Sequence, residues 1–355
     1  MGKVADNMAR SLRAKKRNEK KAFKPRMEEI FICADVWFGV FAFVGPLALG
    51  LIMALISDRF DRLVDEHFKS RKWSLGSMEI RRAKRRKCAQ IVTYPGGQQL
   101  PIPQGPIPGK VIGFEEIRIS YVDPTVIEFL QRIRHLSDSA GTTVAIYTAV
   151  NQSRSWKIIC QKIWPLVNDN ICRFRHLGSS QLDRLRQHSP TILRNCANLR
   201  SIDGCGLFPE FPAEDTADAS SRQAVAKWLL TPRGDGLPKM LCCDYPRGGM
   251  EGLKGSFVNA SEPVNFIICL SHFCRIKRFE LKNRAGERLT FRRLSKYNGL
   301  LVRCPIVREE ANWAKWEKEA NGWGLSRPYI AIFFGDRNIG DGLVDAKAGP
   351  SGQKK

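Results

Sequence analysis

The chain has 355 residues, an apolar fraction of 43% and a formal net charge of +23. That length leaves room for more than one domain, and that apolar fraction supplies a sizeable core, which excludes a wholly disordered chain. The eleven cysteines are odd in number and contain no Cys-x-x-Cys pair. They argue against a secreted disulfide framework and for reduced thiols in the cytosol or nucleus.

The charge is unevenly placed. Residues 1–26 hold ten Lys/Arg against Asp6 and Glu19, and residues 71–87 hold eight against Glu79. The first tract reads as a disordered basic arm over 1–28, ended near Pro25. Either tract could serve as a localisation signal or a sequence-independent phosphate contact. Neither interleaves aromatic residues for base stacking, and no zinc-finger, RRM or KH pattern is present, so nucleic acid is the lesser reading. The basic lead is too long, and the first apolar run too deep, to resemble a secretory signal.

Residues 32–68 are the most apolar part of the chain. Twenty-two residues without a charge separate Asp35 from Asp58, enough to span a bilayer as one helix. A span over 36–57 is therefore one reading. The other is a trio of short helices within 29–70. Gly45-Pro46 interrupts the run, because proline removes a donor and clashes with the preceding turn. The helical period also continues past the charges, through Ile52, Ile56, Phe60, Leu63 and Val64, with Asp58, Arg59, Asp61 and Arg62 on the other faces. That continuity favours the trio.

Residues 71–110 turn basic and then rich in Pro, Gly and Gln, as a linker or irregular surface segment does, with room for one short hairpin. Beyond it short apolar strands are predicted to start at Ile117, Val144, Ile171 and Leu199, and further ones at Met240 and Asn265. Helices alternate with them. Asp123-Pro124 supplies a cap and a first-turn proline, followed by Val126, Leu130 and Ile133 on one face. Trp156, Cys160 and Ile163 form the next stripe, Leu182 and Leu185 another, and Ala224, Val225, Trp228 and Leu229 a fourth. A strand–helix unit of about 27 residues is what a leucine-rich-repeat-like region produces. A doubly wound sheet gives the same alternation. Residues 206–220, acidic and without a basic residue, read as a surface loop.

The last third changes to consecutive strands near 279–282, 289–294 and 300–305, then a helix from about 307 to 323, then a strand at 329–334. Trp313, Trp316, Ala320 and Trp323 make a single apolar stripe, read as the face packed on the sheet in preference to a peptide-binding ridge. The expected class is α+β or α/β. It comprises a small helical module (29–70), the linker (71–110), a strand–helix region ending in an antiparallel sheet with one helix (111–343), and a disordered tail (344–355).

No catalytic constellation is legible: there is no P-loop, no Gly-x-Ser-x-Gly and no paired histidine on a helix. Cys242, Cys243, Cys269, His272 and Cys274 fit no common zinc-ligand spacing, so neither a metal nor a cofactor is expected. On alternation along the strands, Arg118, Tyr147, Arg173 and Arg175 point away from the helices. This basic open face would suit an acidic protein segment.

Two stretches carry a family resemblance. In the first, Ile32-Cys33 stand where an F-box has Leu-Pro, Asp35 at its acidic position, and Val36-Trp37 at the next apolar pair. Val40, Phe41 and Val44 fill its first helix, Pro46 and Leu51 follow the turn, Ile56-Ser57 stand at a Val-Cys-like pair, and Phe60 stands at its Trp with Leu63 after it. The departures are Cys33 for Pro and Phe60 for Trp. In the second, FELKNRAGERLTFRRLSKYNGLLVRCPIVREEANWAKWEKEANGW, with SRSWKIICQKIWPLVNDNIC and FPEFPAEDTADASSRQAVAKWLLTPR upstream, resembles the F-box-associated region of the large nematode F-box families. The similarity covers most of 28–342. It implies a non-catalytic substrate receptor of an SCF-type ubiquitin ligase. Ile32, Val36, Val40, Phe41, Pro46, Leu51, Ile56 and Phe60 would bind the Skp adaptor, and through it the cullin and RING subunits. The C-terminal region would hold the protein substrate.

Overall fold

A computed structural model of the chain describes residues 32–69, 73–84, 88–107, 111–137, 141–246, 248–271, 276–322 and 328–343. The side chains of Pro46, Leu47, Leu51, Trp73 and Ser137 are outside this description. So are the expected basic arm, His272, Cys274, Trp323 and the tail. The chain divides into two compact units, residues 1–43 and residues 44–355.

The first unit contributes helix α1 (Ala34–Phe41). The second opens with α2 (Pro46–Leu51), whose first residue is the proline. A 3-10 turn (Met53–Leu55) and α3 (Asp58–Lys69) follow. The 22-residue uncharged run is thus broken where Gly45-Pro46 predicts, and among the described residues no helix is long and apolar enough to cross a membrane. The boundary between the two units falls inside the expected module over 29–70. The cause lies in the apolar face of α2: Ala48 belongs to the main core, with Val44 and Ile52 packed against it.

Residues 73–101, expected as linker, form strands. β1 (Trp73–Ser74) pairs in parallel with β5 (Val111–Gly113). β2 (Ser77–Arg82), β3 (Ala89–Tyr94) and β4 (Gln99–Pro101) form an antiparallel meander. Met78 and Ile80 are buried while Ser77, Glu79 and Arg81 beside them are partly exposed, the alternation of a strand with one wet face. The β3–β4 turn needs positive φ at two successive positions, and Gly96 (φ 118°) and Gly97 (φ 63°) supply it.

The strand–helix region follows in order. β6 (Glu116–Ile119) leads to α4 (Pro124–Ile133), capped by Asp123, whose Oδ1 accepts from Val126 N at 3.1 Å. β7 (Thr142–Ile146) leads to α5 (Ser153–Ile158), which runs through a π turn (Ile159–Ile163) into α6 (Trp164–Val167). β8 (Ile171–Phe174) precedes α7 (Ser179–His188) and α8 (Ile192–Asn195). β9 (Ser201–Asp203) precedes α9 (Ser221–Leu230), which has a capping box between Ser220 and Gln223. β10 (Lys239–Asp244), α10 (Met250–Val258) and β11 (Phe266–Ser271) complete the series. Then come β12 (Phe279–Lys282), β13 (Glu287–Arg293), β14 (Asn298–Pro305), α11 (Glu310–Asn321) and β15 (Tyr329–Ile332).

All but β1 and β5 join a thirteen-stranded sheet among the described residues, in the order β12-β13-β14-β11-β10-β9-β8-β7-β15-β6-β2-β3-β4. The strands from β2 to β11 are parallel, and antiparallel pairs close both ends. Two features differ from expectation. The antiparallel strands continue the main sheet through β14 against β11 in place of forming a separate one. The last strand returns to lie between β6 and β7, with Ile330 in register with Ile117 on one side and Val144 on the other. All four residues of β15 are buried, as a central parallel strand requires.

One apolar cluster fills the space between the parallel strands and helices α4 to α10. It includes Ile117, Val144, Phe174, Ile202, Leu241 and Ile268 from the strands, and Phe129, Trp156, Leu182, Val225, Trp228 and Phe257 from the helices. The opposite face carries α11 only over β10, β11 and β14, where Trp313 and Ala320 meet Met240, Ile267, Leu300 and Val302. Trp316 is half-buried against this cluster, so Trp313, Trp316 and Ala320, the described part of the stripe, pack on the sheet as expected.

Candidate protein-binding surfaces

Two sets of side chains were expected to touch partners, and each is best taken by itself. On α1, Val36 and Val40 stand one turn apart and are 54% and 43% exposed, so they share an outward face. Phe43, just beyond, is 93% exposed. Ile32 is half-exposed. Phe41 is fully buried, contrary to a role in direct contact. In the second unit Ile56 is 58% exposed and Leu55 also faces outward, whereas Phe60 is half-buried and so offers less surface than expected. Leu55 and Phe43 were missed in the sequence. Each carries only the signal of an apolar residue beside a helix end.

The second set lies on the sheet face that α11 leaves uncovered. Arg118 is exposed but already engaged, its Nε donating to Glu116 Oε1 at 2.5 Å. Two residues apart on one strand, these side chains share a face and neutralise each other. Tyr147 is 41% exposed and lies flat on Phe333, with ring centroids 4.5 Å apart and planes 8° from parallel. Its hydroxyl is 3.2 Å from that of Tyr329. Burial, followed by that hydrogen bond, pushes the Tyr329 phenol well above the usual tyrosine range. Phe333 is 42% exposed.

Arg173 and Arg175 are half-buried and line a small cavity of about 20 Å³ with Ser201, Asp203, Cys242 and Glu319. A space of that size holds about one water molecule. Glu319, on α11, is clamped by Arg200 through bonds of 2.8 and 3.0 Å, which ties the helix to the strand edge. Asp203 lies 4.0 Å from His176 Nδ1. Burial raises its carboxyl pKa, opposed by His176, Arg175 and Arg173. His176 sits at φ 52°, a conformation non-glycine residues seldom adopt.

Comparison of the chain with protein-family models, with curated proteins and with solved structures finds no match. Inference from here therefore rests on the residues themselves. Among the described residues no group of three or more His, Cys, Asp or Glu is placed to hold a metal ion. Cys242 and Cys269 are opposed across β10 and β11, and both thiols donate to Ala320 O, at 3.4 and 3.0 Å. The adjoining Cys269 thiol, then burial, drives the Cys242 thiol far above the ordinary range, where it is a poor nucleophile.

Of the four predicted face residues, Tyr147, Arg173 and Arg175 come together while Arg118 is tied down elsewhere. Phe333, Asp203, His176 and Glu319 were not foreseen. Phe333 could be found only by knowing that β15 lies beside β7.

Proposed function

We propose that the chain is the substrate-recognition subunit of an SCF-type ubiquitin ligase. In this reading the helical module binds the Skp adaptor, and the strand–helix region, leucine-rich-repeat-like in its parallel run, binds the protein substrate. The observation that carries it is the exposure of Val36, Val40 and Ile56, three positions at which the F-box resemblance calls for adaptor contacts. Apolar side chains held outward on a short helix and at a helix junction favour burial against a partner. The uncovered sheet face would hold a substrate at the other end of the task. The chain would supply no reacting group: positioning a substrate lysine near a charged ubiquitin-conjugating enzyme raises its effective concentration, and that is the catalytic gain.

The test is co-purification of the full chain with a Skp adaptor, beside a Val36→Asp, Ile56→Asp variant. A 1:1 complex formed by the wild type and lost in the variant is the expected result. A wild type that elutes free of adaptor at micromolar concentration overturns the reading.

A further inference from the structure

The strip formed by Arg173, Arg175, Tyr147 and Phe333 names its ligand more closely than a general basic face does. Its backbone is fixed by sheet bonds that run past the strand ends. Arg175 N donates to Val144 O at 2.9 Å, Tyr147 N to Ile332 O at 2.8 Å and Phe333 N to Ile119 O at 2.8 Å. Thr143 pairs with Arg173 and Val144 with Phe174, so Tyr147 continues the row of Arg173 and Arg175 by one further step of two residues.

Among the described residues the guanidinium groups of Arg173 and Arg175 have no ion pair, although both are half-buried. The arginines around them do: Arg118 with Glu116, Arg200 with Glu319, Arg233 with Asp235. Asp203 and Glu319 line the same cavity without an ion pair to either arginine, so each guanidinium keeps donors that a ligand carboxylate engages in charge-assisted hydrogen bonds. Alternate residues of a strand are about 6.6 Å apart, the spacing of alternate side chains in any extended peptide.

We propose that this strip binds an extended acidic protein segment. Two carboxylates at alternate positions would pair with Arg173 and Arg175, and an apolar side chain two residues further on would lie on the Tyr147–Phe333 shelf. With Arg118 and Arg200 already neutralised by Glu116 and Glu319, Arg173 and Arg175 suit two discrete carboxylates better than a continuous phosphate backbone, which favours a short acidic motif over nucleic acid. The inference rests on the receptor reading in taking this segment to be the substrate's.

The test uses fluorescence anisotropy with the purified full chain and a labelled peptide, Gly-Ser-Glu-Ser-Glu-Ser-Phe-Ser-Gly. Controls replace both Glu by Lys, or Phe by Ser, and a single-stranded oligonucleotide is the polyanion control. The expected result is salt-sensitive binding of the acidic peptide, weakened about tenfold or more by Arg173→Ala, Arg175→Ala, the loss of one or two charge-assisted bonds. Tyr147→Ala, Phe333→Ala should weaken only the peptide that carries Phe. An Arg173→Lys, Arg175→Lys variant guards against a folding defect and should retain part of the affinity. No binding by the acidic peptide, affinity unchanged in the double alanine variant, or tighter binding of the oligonucleotide each overturns the proposal. Adaptor binding without peptide binding sinks this inference alone; peptide binding without adaptor binding sinks the receptor reading alone.

Discussion

The buried pair Glu287–Arg303 offers the sharpest test of how the C-terminal strands are held. Its side chains are 1% and 2% exposed. Glu287 Oε1 accepts from Val264 N at 2.8 Å, and Oε2 accepts from Asn283 Nδ2 at 2.9 Å and from Arg303 Nη2 at 2.5 Å. Arg303 also reaches Glu262 O at 3.1 Å and lies 5.3 Å from the Phe257 ring centroid. Glu287→Met leaves a buried guanidinium without its counter-charge, which costs about 3–5 kcal/mol. Arg303→Met strands the carboxylate and costs a similar amount by the same reasoning. Glu287→Met, Arg303→Met removes both charges. What is left is chiefly the unmet Val264 N–H, about 1–3 kcal/mol. The double variant should therefore be more stable than either single, with a coupling energy of roughly 3 kcal/mol or more. Urea unfolding followed by tryptophan fluorescence reads all four proteins. Single variants that lose under about 1 kcal/mol, or a double variant whose loss equals the sum, would refute the claim that the charges depend on each other.

Two further outcomes follow from local geometry. Ser220→Ala removes the Oγ that accepts from Gln223 N at 3.1 Å and should lower stability by about 1 kcal/mol, read as a drop in melting temperature; Ser220→Gly should lose less. Asp203 titrates higher in the folded chain than unfolded, because burial disfavours its charge. Its cost to stability is thus present above the raised folded value and relieved as pH falls through that value toward 3.8. Asp203→Asn should melt higher than the wild type at pH 7 and lose that advantage toward pH 4. A variant that melts lower at pH 7 would mean that Arg173, Arg175 and His176 outweigh burial.

What the sequence revealed and what it hid divides along one physical line, between local pattern and the choice of a distant partner. Strands predicted from Ile117, Val144 and Ile171 lie at Glu116–Ile119, Thr142–Ile146 and Ile171–Phe174, and the Asp123 cap stands where its residue type places it. Each of these is decided within a few residues. β2 was hidden because Glu79 and Arg81 fill its outer face and the charges mask the alternation of Met78 and Ile80; the Pro-Gly-Gly stretch allowed one short hairpin but gave no sign of the three-stranded meander that β2, β3 and β4 form. The return of β15 was hidden for a different reason. Tyr329, Ile330, Ala331 and Ile332 announce a strand, but nothing local says that it fits between β6 and β7. The candidate site inherits both halves of that division. Alternation along the strands turns Arg118, Tyr147, Arg173 and Arg175 away from the helices, while Phe333 meets Tyr147 only because β15, whose Tyr329 is 182 positions from Tyr147, lies beside β7. The same limit explains the helices: their ends follow Pro46 and the charge pattern of Asp58 to Lys69, but the attachment of α2 to the main core depends on which distant surface Ala48 meets, and no short window of sequence contains that surface.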